Sequence, residues 1–180
     1  MHIKNTISKA NRVLGFIRRN FWYCTTDVKV CTYKMLVRPI LEYASVVWDP
    51  RSHIHKHRLE MVQRRAARFC SGDFKKYSSV TEMLKNLDWE TLEQRRKNDR
   101  LTMLYKISHG LVGINGAEYL TQSDVRRTRG SNQFKYQRQH TRLDVYKYSF
   151  FNRTIPEWNE LPDETTSTPS LELFKQRLHN

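Results

Sequence analysis

Glycine and proline are scarce in this 180-residue chain, six and five respectively. Both residues interrupt regular structure, so their shortage predicts long elements. Cysteine is also sparse. Cys24, Cys31 and Cys70 make an odd number with no CxxC pair. That argues against a disulfide framework and for a reducing compartment, with each thiol acting as a small buried hydrophobe. No run approaches the ~18 apolar residues of a membrane span. Residues 1–20 have no signal-peptide core, because Lys4, Lys9, Arg12, Arg18 and Arg19 interrupt them. That segment fits a packed amphipathic helix, and less closely a transit peptide. Internal repeats and low-complexity runs are absent. Aromatic residues are not scarce. With 8 Phe, 9 Tyr and 4 Trp, the chain is too aromatic for intrinsic disorder.

The marked shortage is of acid. Thirty-two Lys and Arg face 18 Asp and Glu, a formal net charge of +14. The excess is spread over residues 1–50, 51–110 and 111–156, and reverses sign in 157–180. It is therefore no basic tail. A folded chain so charged attracts polyanions, of which nucleic acid is the commonest. The plainer reading is charge that only opposes aggregation.

Apolar spacing predicts a mainly helical chain. Ile3, Ile7, Ala10, Leu14 and Ile17 form one helical face. Arg12 and Arg19, seven apart, lie on the opposite face. A second helix starts at Thr26 or Asp27 and meets Pro39, which predicts a kink or a junction near Arg38. The apolar segment Ile40 to Trp48 is expected to be the most buried. A third helix spans about His53 to Cys70, with Arg64 and Arg68 pointing away from its stripe and Arg65 flanking it. Ser79-Val80-Thr81-Glu82 has capping-box form. A further helix runs from about Thr91 to His109. Arg96 and Arg100 fall on its apolar side, which demands partners there or an open groove for phosphate. Residues 111–142 read as a loop with a basic run, Arg126, Arg127 and Arg129, followed by a short strand near Phe134 and Tyr136. Tyr148, Phe151, Ile155 and Trp158 make a helical stripe crossed by Pro156. Thr168-Pro169 predicts the start of the last helix.

Catalytic constellations are missing. The chain has no glycine-rich phosphate loop, no GxSxG and no adjacent aspartates to hold two metal ions. His53, His55 and His57 would share one side only in an extended segment. A helix scatters them, and a solvated surface run is the simpler reading. No metal site and no cofactor is expected. What remains is arginine on helical faces, suited by its planar fork to phosphate. Trp48, Trp89 and Trp158 lie in apolar patterns and read as core. Trp22 and Tyr23, in a connector, are better placed to stack on bases.

Two strings carry a resemblance. One is Val37-Arg38-Pro39-Ile40-Leu41-Glu42-Tyr43-Ala44-Ser45-Val46-Val47-Trp48-Asp49-Pro50. The other is Arg58-Leu59-Glu60-Met61-Val62-Gln63-Arg64-Arg65-Ala66-Ala67-Arg68-Phe69. With Leu92-Glu93-Gln94-Arg95-Arg96, Ser149-Phe150-Phe151-Asn152-Arg153, Trp158-Asn159 and Leu161-Pro162, they resemble the C-terminal, thumb and post-thumb region of the reverse-transcriptase polyprotein of non-LTR (LINE-type) retrotransposons. The likeness runs through nearly the whole chain in order. Asn152 stands where the family usually has proline. The resemblance implies helices that grip RNA template and growing DNA, downstream of magnesium-binding palm aspartates that this sequence does not contain. It implies a fragment or a remnant that binds and is not itself an enzyme.

The expected fold is mainly α, an irregular helical bundle with a short β element near residues 133–138. Three segments are expected: a thumb-like helix at 1–22, a helical core at 23–110, and a C-terminal segment at 111–180 with a basic loop and two short helices. The expected activity is binding to the phosphate backbone of RNA or an RNA–DNA hybrid by Arg12, Arg19, Arg64, Arg65, Arg68, Arg126, Arg127 and Arg129, without reading sequence. The alternative is a protein-interaction module that docks on an upstream polymerase domain or an acidic partner. The expected location is intracellular, nuclear or cytoplasmic, with no membrane partner.

Overall fold

The computed structural model describes residues 2–122, 134–140 and 142–179, without the side chains of Val145 and His179. The protein is mainly α-helical. It divides into two compact units, Met1–Arg96 and Lys97–Asn180. The expected boundaries lay elsewhere, after residues 22 and 110. The first helix is not a separate segment, because its apolar stripe is part of the first unit's core.

In the first unit, α1 (His2–Asn20) buries Ala10, Leu14 and Ile17, with Ile3 and Ile7 partly covered. Full burial of such a Leu or Ile side chain contributes about 1.5–3 kcal/mol. The stripe packs on α5 (His53–Ser71), which buries Leu59, Val62 and Ala66. Between them lie α2 (Thr26–Thr32), a π-helical turn (Tyr33–Val37), α3 (Arg38–Glu42) and α4 (Ser45–Trp48). The wide turn is the consequence of Pro39. Proline has no N–H to donate and its ring would strike the carbonyl one turn earlier. The backbone widens, and the Arg38 N–H reaches the Tyr33 carbonyl.

Ile40 to Trp48 is not the most buried segment. Ala44 takes a left-handed φ of 50° and splits it into α3 and α4. Leu41 and Ser45 face the core, whereas Tyr43 is 81% exposed and Val47 86%. A run apolar all round still has to turn one side outward when only one side meets the core.

Gly72, at φ 66°, closes α5. The Ser79 hydroxyl accepts from the Glu82 N–H at 3.3 Å and starts α6 (Val80–Asn86), as its capping sequence predicts. The division between units falls within α7 (Leu92–Ser108).

The second unit contains the rest of α7, then α8 (Asp144–Lys147), α9 (Phe150–Asn159), α10 (Asp163–Thr166) and α11 (Leu171–His179). Its core sets Tyr105 against Phe174 at 4.5 Å between ring centres, and Trp158 against Phe174 at 5.6 Å. α9 continues through Pro156, with Ile155 and Trp158 fully buried on either side. The β element among the described residues is one antiparallel bridge, Gln122 to Tyr136. Beside it, side chains of α9 take up backbone groups of Phe134 and Tyr136. Asn159 accepts from the Tyr136 N–H at 3.1 Å and donates to its carbonyl at 2.8 Å. Trp158 Nε1 donates to the Phe134 carbonyl at 2.7 Å. The last helix begins later than expected. Ser170 is its cap, accepting from the Leu173 N–H at 3.3 Å, while the Thr168 hydroxyl donates back to the Glu164 carbonyl.

Candidate nucleic-acid interface

The basic residues fall into three kinds according to what surrounds them. The first kind faces solvent on α1. That helix contains Lys4, Lys9, Arg12, Arg18 and Arg19 and no Asp or Glu, and all five cations are exposed. Arg12 and Arg19 lie opposite the buried stripe, where the heptad spacing puts them. α5 continues the basic surface. Arg65 is exposed and donates from Nη1 to Asn11 Oδ1 on α1 at 3.1 Å, so the two helices share an edge of donors. Arg58, seven residues before Arg65, is exposed too. Arg64 is half-buried, one turn from Glu60. Burial raises the Glu60 carboxyl above its ordinary range, although the Leu92 N–H donates to its Oε2 at 2.9 Å.

The second kind is committed to backbone. Arg68 departs from its expected role. Its guanidinium donates to the carbonyls of Asp73 at 3.5 Å, Lys75 at 3.0 Å and Ser78 at 3.4 Å. It therefore holds the loop between α5 and α6. Asp73 helps, accepting the Lys75 N–H at 2.9 Å. Hydrogen bonds from the Ser78 hydroxyl and the Lys75 N–H hold its carboxyl below the usual range.

The third kind is neutralised inside the protein. Arg96 is 1% exposed and pairs with Asp49 through Nε at 2.7 Å. Arg100 donates to both carboxylate oxygens of Glu157, at 2.9 and 2.7 Å. Arg95 makes a two-point pair with Glu42. The anomaly of arginine on an apolar helical side thus resolves to carboxylate partners, and both side chains are buried, Arg96 at 1% and Arg100 at 3% exposure. Arg126, Arg127 and Arg129 lie outside the described residues.

The structure therefore brings Arg12, Arg19 and Arg65 onto the solvent side of the first unit, with Arg64 at its margin, and withdraws Arg68. Sequence reading passed over Arg18, Arg58, Lys75 and Lys76. For Arg58, a seven-residue step back from Arg65 was the available signal. Elsewhere on α5, His53 and His57 stack at 6.5 Å between ring centres. Among the described residues no group of three or more His, Cys, Asp or Glu is placed to hold a metal ion. Among the same residues no helix is long and apolar enough to cross a membrane.

A mainly helical protein with a carboxylate-poor basic surface on its first unit is the class these observations define. No family model, no curated protein and no solved structure matches the chain.

Proposed function

We propose that this chain binds the phosphate backbone of RNA or an RNA–DNA hybrid, in the manner expected of the region after the palm in a LINE-type reverse transcriptase. Binding, and not catalysis, is its role. The observation that carries the reading is α1, a 19-residue helix with five exposed cations and no carboxylate. Each Lys or Arg that meets a phosphate releases condensed counterions, so affinity should fall with a log–log salt slope of about −0.9 per contact on duplex and about −0.7 on single strands. Titrating the purified chain with hybrid, structured RNA and duplex DNA over a salt series tests this. An affinity indifferent to salt refutes it.

A second reading is a protein-docking module. The exposed Tyr43 and Val47 favour it, with Tyr43 lining a groove of about 430 Å³ together with His2, Lys9, Pro39 and Ile40 among others. Exposed apolar surface of this kind marks association sites. Replacing Tyr43 and Val47 by Ser separates the two readings. Nucleic-acid affinity survives under the first, and capture by an upstream polymerase body fails under the second.

A further inference from the structure

Two stretches of the sequence set a pair of cations beside aromatic residues. One is Arg18-Arg19-Asn20-Phe21-Trp22-Tyr23, and the other is Phe74-Lys75-Lys76-Tyr77. Fifty residues separate them, yet the first unit joins them. α1 ends at Asn20, whose side-chain amide donates to the Phe16 carbonyl at 2.8 Å. Phe21 turns inward against the core, and Trp22 and Tyr23 are left outside. The second stretch is the loop that Arg68 and Asp73 hold. Trp22 stacks on Phe74 at 5.4 Å between ring centres with 22° between planes. Beneath them lies the buried Phe69, 6.3 Å from Trp22. The Arg18 guanidinium sits 5.7 Å over the Phe74 ring.

The exposures are unusual for such side chains. Trp22 and Phe74 are 44% and 46% exposed, Tyr77 85% and Tyr23 98%. A single exposed aromatic needs no explanation, but four carried on two short stretches that the Trp22–Phe74 stack joins do. The clamp holds the loop backbone on either side of Phe74 and Tyr77. Arg19, Lys75 and Lys76 are exposed in the same two segments. The carboxylate of the loop, Asp73, is occupied by the Lys75 N–H. The corner is thus flat and aromatic at its centre and cationic at its border.

We propose that this corner is a stacking platform for the unpaired bases of single-stranded nucleic acid. Trp22, Tyr23 and Tyr77 take the base faces, and Arg19, Lys75 and Lys76 take the phosphates between them. Every base has a π face, so the platform tolerates any sequence. It adds to the backbone contacts a preference for a strand end or a junction. The inference rests on the nucleic-acid reading above and is separable from it.

The test compares three ligands: a blunt RNA–DNA hybrid, the same hybrid with a short single-stranded tail, and the same hybrid with an abasic tail. The normal tail should tighten wild-type binding by about tenfold or more, since stacking is worth ~1–3 kcal/mol per base. The abasic tail should give little of that gain. Tyr23→Ala with Tyr77→Ala should abolish the gain and leave blunt-hybrid affinity unchanged. Both side chains are exposed, so the double variant should fold, and Tyr23→Phe with Tyr77→Phe should restore the gain. The platform is overturned if the normal tail adds nothing, if the abasic tail serves equally well, or if the Ala variant keeps the gain. In each case blunt-hybrid binding leaves the backbone reading standing. Failure to bind any of the three ligands sinks both.

Discussion

The arginines of α1 and those of α7 are chemically identical and do opposite things. On α1, Arg12 and Arg19 stand in solvent on a helix without a single acid. On α7, Arg95, Arg96 and Arg100 meet Glu42, Asp49 and Glu157. Composition counts all five toward a basic protein. Only those on α1 contribute to a long-range field that a polyanion can feel, because a close carboxylate cancels its partner's charge at a distance. The excess charge of a sequence is therefore a statement about possibility. Which cations are available depends on where the few acids land.

The largest effect expected from this contrast is on stability. Asp49 is 4% exposed and Arg96 1%. Asp49→Ala takes the hydrogen-bonded carboxylate away from a buried guanidinium, which should cost about 3–5 kcal/mol in chemical denaturation. Glu157→Ala strips both hydrogen bonds from Arg100 Nη2, but the pair is partly wet, with Glu157 27% exposed, and should cost less. Equal, small losses from the two substitutions would break the distinction drawn for α7.

The next effect is on binding. Arg12→Ala with Arg19→Ala removes two exposed cations from the side of α1 opposite its buried stripe. Stability should change by less than about 0.5 kcal/mol, as at other exposed positions. The salt slope for hybrid binding should fall in magnitude by about 1.8, at about 0.9 for each lost contact on duplex. An unchanged slope would place the nucleic acid elsewhere, or nowhere.

Arg68 lies between the two kinds. Arg68→Ala removes a charged donor from three loop carbonyls and should cost about 1.5–3 kcal/mol, the range for hydrogen bonds to a charged group. It should leave blunt-hybrid affinity nearly intact. The same loop should weaken in acid. Asp73 titrates below its unfolded value, so its contribution is present above the ordinary carboxylate range and is lost as pH falls through its lowered value. Thermal melts of wild type and Arg68→Ala at neutral and acid pH measure both effects. A large loss of hybrid affinity would return Arg68 to the interface.

Much of the helical scaffold was legible because its signals are local. The spacing of Ala10, Leu14 and Ile17, the Ser79–Glu82 cap and Pro39 each act within a turn or two of chain. The site was legible only in part. The burial of Arg96 and Arg100 was flagged by helical phase, but their partners lie 47 and 57 positions away, where no local pattern points. The Arg68 clamp could not be read, because its acceptors are backbone carbonyls that any sequence supplies. The outward turn of Tyr43 and Val47 was missed for a related reason. An apolar run declares that it can be buried, and the left-handed break at Ala44 decides which side is. Phe74 and Tyr77 carry no local sequence signal, because what marks them is the stacking of Trp22, 52 positions away, on Phe74.

The finest test of the comparison is Asn11. Its side chain accepts from Arg65 at an exposed site, so Arg65 is held in place by a neutral partner and keeps its full charge. Asn11→Ala removes that hold. An exposed hydrogen bond contributes about 0.5–1.5 kcal/mol, and alanine returns part of that through its better helix propensity, so stability should barely move. If Arg65 belongs with the cations of α1, hybrid affinity stays the same or rises slightly, since its fork no longer has to leave Asn11 to reach phosphate. If the hydrogen bond instead positions Arg65 for its contact, affinity falls severalfold while the salt slope is kept. Arg65→Ala, measured beside it, should reduce the slope by about 0.9. A drop in slope from Asn11→Ala itself would mean that the amide, and not only the charge it orients, belongs to the binding surface.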